Sequence, residues 1–277
     1  MITGILIGRQ FVNAFIAARQ TVKLLEPVNI AEPHCHMGNT RFNPTVNGPL
    51  HIGHLYTILV NQTEARRGDG KFVIRFDDTS LSWSWLLGEE QIDYYRQVMR
   101  DDMQWLGIEP VWSSQAALME KAEGLAKFLG YPMVPKPFTD QVAAEVVGAT
   151  CTFYPMTERQ TAEHVLMDFI EGVTWCIRGI DLLSEDAFYK YLVKRYDVPR
   201  VRMTYIPRLQ MQGDVISKTQ GNYKLCDFRR AGIDPDYIID CLAGDCLIHP
   251  GDQWTVDNIK PVPVLGDWAK AALHGIS

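Results

Sequence analysis

Arg41-Phe42-Asn43-Pro44-Thr45-Val46-Asn47-Gly48-Pro49-Leu50-His51-Ile52-Gly53-His54 is the stretch on which the reading of this chain turns. Residues 42–45 suit a short extended segment, and Pro44, Asn47, Gly48 and Pro49 supply a turn. From residue 50 to 65 apolar side chains recur at helical spacing, which predicts a helix opening at the turn. His51 and His54 are three apart and therefore share one face of the first helical turn. A helix start offers unpaired N–H groups and partial positive charge, and Gly53 leaves room for a ligand to approach the backbone. Two imidazoles at such a place can donate to phosphate oxygens as charge builds during attack on an α-phosphate.

Outward from this block, Lys71-Phe72-Val73-Ile74-Arg75-Phe76-Asp77-Asp78-Thr79 reads as a strand ending in a carboxylate turn, and Trp105-Leu106-Gly107-Ile108 as the end of the helix that follows. Further along stand His164-x-x-x-Asp168-x-x-Glu171-Gly172-Val173-Thr174, then Arg178-Gly179-Ile180-Asp181, then Val215-Ile216-Ser217-Lys218-Thr219. In this order the segments resemble the catalytic core of class I glutamyl- and glutaminyl-tRNA synthetases, from Arg41 to about Ile248. The resemblance implies an α/β fold: a class I synthetase Rossmann-like, doubly wound parallel sheet with a short connective insert and a helical C-terminal segment. It divides the chain into an N-terminal extension (1–40), a first half of the catalytic domain (41–115), a shortened insert (116–153), a second half with the lysine loop (154–223), and a helical stem-contact-like segment and tail (224–277).

Composition agrees with an enzyme-sized globular chain. The 277 residues are 47% hydrophobic and 22% charged, near the average for soluble domains. No run of about 18 uninterrupted apolar residues predicts a membrane span, and a cytoplasmic monomer is expected. The net charge of −6 excludes the overall basic field of a protein that lives on nucleic acid. Local basic pairs stand at Arg229-Arg230 and Lys194-Arg195, and each reads as solvated surface. Six dispersed cysteines without a CxxC pair read as reduced thiols. Cys241 and Cys246 lack zinc spacing and read as core packing, and His34-Cys35-His36 reads as a loop, so no metal site is assigned.

Residues 11–25 are periodic enough for an amphipathic helix. The first 25 residues carry Arg9, Arg19 and Lys23 and no acidic residue, yet no serine, so a packed extension, or an upstream start with Met37 close to where related chains begin, fits better than a transit peptide. Residues 91–106 read as a helix with Ile92, Tyr95, Val98, Met99 and Met103 on the core side. The insert reads as a short helix followed by a linker with Pro132, Pro135 and Pro137.

The resemblance implies amino-acid activation: a carboxylate joined to ATP, with Mg²⁺, to give an aminoacyl-adenylate and pyrophosphate. It assigns catalysis to His51, His54 and Lys218. ATP binding falls to Asn43, Pro44, Gly53, His51, His54, Ile216, Ser217 and Lys218. The amino-acid site comprises Arg41, Asn43, Thr45, Asp77, Gln160, His164 and Arg178. Asp77 stands where the family binds the α-ammonium, while adjacent Asp78 points elsewhere and reads as a brace of the turn. Arg41 and Arg178 stand where glutamyl enzymes hold substrate carboxylates, and arginine is the reader such groups call for. Glutamate or a near relative is therefore the expected amino acid. The departures fall on the same subsite: an ungapped count puts Gln160 where the family keeps tyrosine, which Tyr154-Pro155-Met156 could restore only with about three extra residues, and Asn43 and Thr45 replace its usual residues.

With a short insert and no room for an anticodon domain in the remaining residues, the expected acceptor is a tRNA acceptor tip alone or a non-tRNA molecule. Two alternatives stay open on sequence. A glutamyl-queuosine-type tRNA modification enzyme usually carries a zinc cluster in the insert, where this chain has only Cys151. A non-catalytic synthetase-like regulatory protein would have little reason to keep His51, His54, Asp77 and Lys218 together.

Overall fold

Alternation along the central strands decides how the layers form. The computed structural model describes residues 38–79, 81–130, 158–199, 201–211, 214–215, 223–246, 254–256 and 264–274. The expected N-terminal helix, His34-Cys35-His36, the Pro-rich linker, Cys151 and the lysine-loop residues Ile216, Ser217 and Lys218 lie outside the described residues.

Strands β1 (Thr40–Phe42), β2 (Phe72–Phe76), β3 (Val111–Ser114), β4 (Trp175–Gly179) and β5 (Arg202–Ile206) form one sheet in the order β3-β2-β1-β4-β5, every neighbouring pair parallel. Helices α1 (Ile52–Arg67), α2 (Leu81–Trp105), α3 (Gln115–Phe128), α4 (Glu158–Glu171) and α5 (Asp186–Tyr196) make the crossovers. All five residues of β2 are buried, as befits a parallel strand covered on both faces. Phe72, Ile74 and Phe76 enter a core shared with α1, α2, Trp175 and Ile177. Cys176, between those two β4 residues, enters a second core with Ala122, Ala126, Val165, Leu166 and Leu192 from α3, α4 and α5. The sheet is thus doubly wound, as the sequence predicts. Its order reverses between β1 and β4, and ligands of such sheets bind at the carboxyl ends of the strands flanking that reversal.

Several elements run differently from the sequence reading. A third strand, β3, lies within the first half, where only two were anticipated. Helix α2 begins well before residue 91, bending where Gly88 has a left-handed φ of 73°. Its core face is as expected, with Ile92, Val98, Met99 and Met103 buried. After β5 a short antiparallel pair, β6 (Gln210–Met211) and β7 (Asp214–Val215), precedes the lysine segment.

Beyond that segment α6 (Leu225–Arg230), α7 (Pro235–Asp245) and α8 (Trp268–His274) pack on the first core through Phe228, Ile238, Leu242 and Ala269. The chain returns to the body of the fold in two places, at the turn before α1 and at β6. Leu225 N–H donates to Leu50 O at 2.9 Å, and Leu265 N–H donates to Gln210 O at 2.7 Å. Cys246 is fully buried in this core, in keeping with a packing role.

Arg229 is not part of a solvated basic patch. Its Nε donates to Asp102 Oδ1 at 3.1 Å, joining α6 to α2, and the Asp102 side chain is fully buried. Burial pushes the Asp102 carboxyl up to about 6, against the pull of Arg229. A carboxyl that holds its proton more tightly folded than unfolded makes stability fall as pH rises between its unfolded value near 4 and about 6. Asp102→Asn should remove that dependence: its stability relative to the parent should improve by up to roughly 3 kcal/mol from pH 4 to pH 7.5. Denaturant unfolding at the two pH values measures it, and an unchanged difference would contradict the assignment.

Candidate active site

A cleft of about 420 Å³ opens at the carboxyl ends of β1, β2, β4 and β5. It gathers ten of the residues singled out in the sequence: Arg41, Asn43, Pro44, Thr45, His51, Gly53, His54, Asp77, His164 and Arg178. The side chain of Gln160 lies outside the described residues, as do Ile216, Ser217 and Lys218.

His51 is the N-cap of α1, with extended backbone, and its Nδ1 accepts the Gly53 N–H at 3.1 Å. His54, at the third helical position, turns back so that its Nδ1 accepts the His51 N–H at 3.1 Å. This is a reciprocal capping box built from two imidazoles, with the rings stacked at 3.7 Å between centroids. Because both Nδ1 atoms accept, each neutral ring carries its proton on Nε2.

The expectation of unpaired N–H groups at the helix start is corrected here. Ile52 N–H donates to Tyr223 O at 3.0 Å, Gly53 N–H to His51, and the His54 and Leu55 N–H groups to His51 O at 2.8 and 3.2 Å. The backbone N–H groups of residues 52 to 55 are therefore all engaged within the protein. A Cβ at residue 53 would also sit 3.1–3.2 Å from the His51 ring.

Tyr223 reaches the helix start from the segment after the lysine loop, with a left-handed φ of 59°. A bridge between His51 and Lys224 completes the contact. The far end of the lysine segment is therefore bonded to the histidine turn.

Asp77 is held by backbone and side chain. Its N–H donates to Pro44 O at 2.9 Å, its carbonyl accepts Val46 N–H at 3.2 Å, and its Oδ2 accepts Thr45 Oγ1–H at 3.0 Å. Asp78 points away and braces the turn, as its sequence position suggests. It accepts from Ser114 Oγ at 2.6 Å, from Ala116 N–H at the start of α3 at 2.8 Å, and from Arg96.

Arg41 is placed differently from a simple substrate reader. It is buried, and its Nε and Nη2 donate to Asp168 Oδ1 and Oδ2 at 2.6 and 3.1 Å. Arg75, fully buried on β2, donates to the same carboxylate at 2.7 Å, to Glu171 at 2.7 Å and to Asn43 Oδ1 at 2.9 Å. Tyr189 O–H adds a bond to Asp168 at 2.9 Å. Burial alone would raise the Asp168 carboxyl, but Arg41 and Arg75 hold it well below the usual carboxylate range. With Asp168 and Glu171 set against Arg41 and Arg75, the other charged side chains on the cleft among the described residues are Arg178, Arg208 and Asp77. Burial first, then Arg41, Arg75 and Arg178, push the His164 imidazole well below its usual value, so it is neutral.

Arg75, Gln115 and Arg208 were not singled out in the sequence. An arginine in the middle of the apolar strand Phe72–Phe76 was a usable signal, because a buried charge needs a partner. Gln115 and Arg208 carry no such mark.

Residues 38–129 match the family model for tRNA synthetases class I (E and Q), catalytic domain. The fold agrees: a glutamate tRNA ligase from Elizabethkingia meningosepticum, solved in complex with its amino acid, superposes with a TM-score of 0.61 over 85% of this chain and 68% of that one, at 14% identity. The chain thus carries the class I synthetase α/β fold, and its first half resembles the glutamyl/glutaminyl catalytic domain in sequence. More particularly, glutamate–tRNA ligase 1 of Zymomonas mobilis subsp. mobilis is 39% identical over 74 residues, and glutamate–tRNA ligase of Symbiobacterium thermophilum is 39% identical over 69. Those stretches are 27% and 25% of this chain but 15% and 13% of the relatives.

The capping box predicts separable stabilities. His51→Ala should cost about 1 kcal/mol of unfolding free energy, and His51→Asn, a good N-cap without the imidazole, should recover most of it. Equal loss in both variants by chemical unfolding would show that the ring does not cap the helix.

Proposed function

We propose that the chain activates an amino acid with ATP, and that the amino acid is glutamate or a close relative. The observation that carries this reading is one cleft bordered both by the stacked His51 and His54 beside Gly53 and by Asp77, His164 and Arg178. ATP phosphates lie against the histidines, whose Nε2–H groups donate to the α-phosphate. Asp77 holds the substrate ammonium. Arg178, which lines the same cleft as the neutral His164, reads the side-chain carboxylate.

The substrate's α-carboxylate oxygen attacks the α-phosphorus, the bond to the bridging oxygen breaks, and pyrophosphate leaves with the electron pair. Charge grows on the phosphate oxygens in that step, where positioned N–H donors lower the barrier. Lys218, from the segment whose far end is bonded to the histidine turn, supplies a cation to the leaving pyrophosphate. Mg²⁺ bound to the ATP phosphates would neutralise part of their charge. The adenylate then passes to a tRNA acceptor end or a non-tRNA acceptor. Among the described residues no helix is long and apolar enough to cross a membrane.

Exchange of labelled pyrophosphate into ATP, run across the standard amino acids, tests the reading. Acidic amino acids should support exchange. His54→Ala and Lys218→Ala should each lower it by roughly 2 to 4 kcal/mol in activation free energy, the scale of one transition-state donor. Arg178→Ala should raise KM for the acidic amino acid far more than for ATP. Exchange with apolar amino acids only, or full exchange in both His54→Ala and Lys218→Ala, would overturn the proposal.

A further inference from the structure

A chain of hydrogen bonds beside the cleft has its direction set from one end. Arg75 can only donate, and its Nε lies 2.9 Å from the side-chain atom of Asn43 that must therefore be the carbonyl oxygen, Oδ1. Gln115 approaches the same oxygen at 3.4 Å and so presents its NH₂ group there. Its own Oε1 accepts Thr79 Oγ1–H at 2.8 Å, in agreement with that orientation. The second N–H of Gln115 then meets His164 Nδ1 at 3.3 Å. That nitrogen has to accept, which puts the ring proton on Nε2. Gln115 is buried, at 2% exposure, as the first residue of α3. The turn after β2 grips this end of α3 twice, through Thr79 on Gln115 and through Asp78 on Ser114 and Ala116.

We propose that Gln115 is a positioning residue of the amino-acid site: relaying the donor sense of buried Arg75 through Asn43, it holds His164 as the neutral Nε2–H tautomer, which offers an uncharged donor to a side-chain oxygen of the substrate. The inference rests on reading the cleft as an amino-acid site. It assigns the two donors different tasks. His164 recognises an acceptor oxygen of either a carboxylate or an amide, while Arg178 favours the carboxylate through its charge. An apolar side chain would offer neither donor an acceptor.

The test uses the full chain labelled with ¹⁵N-histidine, with the His164 signals assigned by their loss in His164→Asn. Long-range ¹H–¹⁵N correlation should give the Nε2–H pattern for His164 in the parent protein. Gln115→Glu replaces the NH₂ group by an acceptor and should move the proton to Nδ1. In pyrophosphate exchange the same variant should raise KM for the acidic amino acid roughly tenfold, the scale of one lost hydrogen bond, with KM for ATP unchanged. An Nδ1–H pattern in the parent, or an unchanged tautomer and unchanged amino-acid KM in Gln115→Glu, would overturn the inference. If Gln115→Glu does not fold, the parent spectrum still decides. If no amino acid supports exchange, the functional reading fails on its own, and the tautomer measurement continues to judge the relay.

Discussion

One carboxylate, Asp168, sits fully buried between arginines from two adjacent strands. Arg41 comes from β1 and Arg75 from β2, which are paired in parallel, while Asp168 arrives on α4, from the other half of the sheet. Two guanidinium groups brought this close in a dry interior would repel strongly and lose their hydration. Asp168, with Glu171 on Arg75, Asn43 on the Arg75 Nε and Tyr189 on Asp168 itself, makes the arrangement tenable. The two halves of the fold are therefore joined by charge pairing as well as by the bridge between Thr40 and Trp175.

That joint shapes the cleft above it. Held by Asp168, Arg41 lines the cavity as a fixed, paired guanidinium and not as a mobile arm. The same arginines, after the cost of burial itself, keep His164 neutral, so the wall can offer a donor there without adding another cation. Along another border of the cleft, the paired imidazoles use their Nδ1 atoms to cap α1 and keep their Nε2 protons for other partners. At His51 and His54 a structural hydrogen bond decides which nitrogen carries the proton.

Local patterns in the sequence carried much of this, and long-range pairings did not. The histidine spacing, the alternation in residues 71–79 and the amphipathic helix around residues 91–106 depend on neighbours within a few positions, and the corresponding strand, helices and turn are present. Asp78 could be read as a brace because two adjacent carboxylates cannot face the same way. By contrast, the Arg41 to Asp168 pair spans 127 positions and has no local signature, so Arg41 alone suggested a substrate reader. The occupied N–H groups of α1 depend on Tyr223, which reaches them only through the tertiary fold. Gln115 fell at an assumed boundary between catalytic half and insert, where an uncharged residue attracts no notice.

The dependence of the whole arrangement on Asp168 is most directly measured by the unfolding free energy of Asp168→Asn. The expected result is a loss of about 3 to 5 kcal/mol, the scale for stranding buried charges by removing their partner. Stability equal to that of the parent protein would contradict the view that this carboxylate holds the two halves and their arginines together.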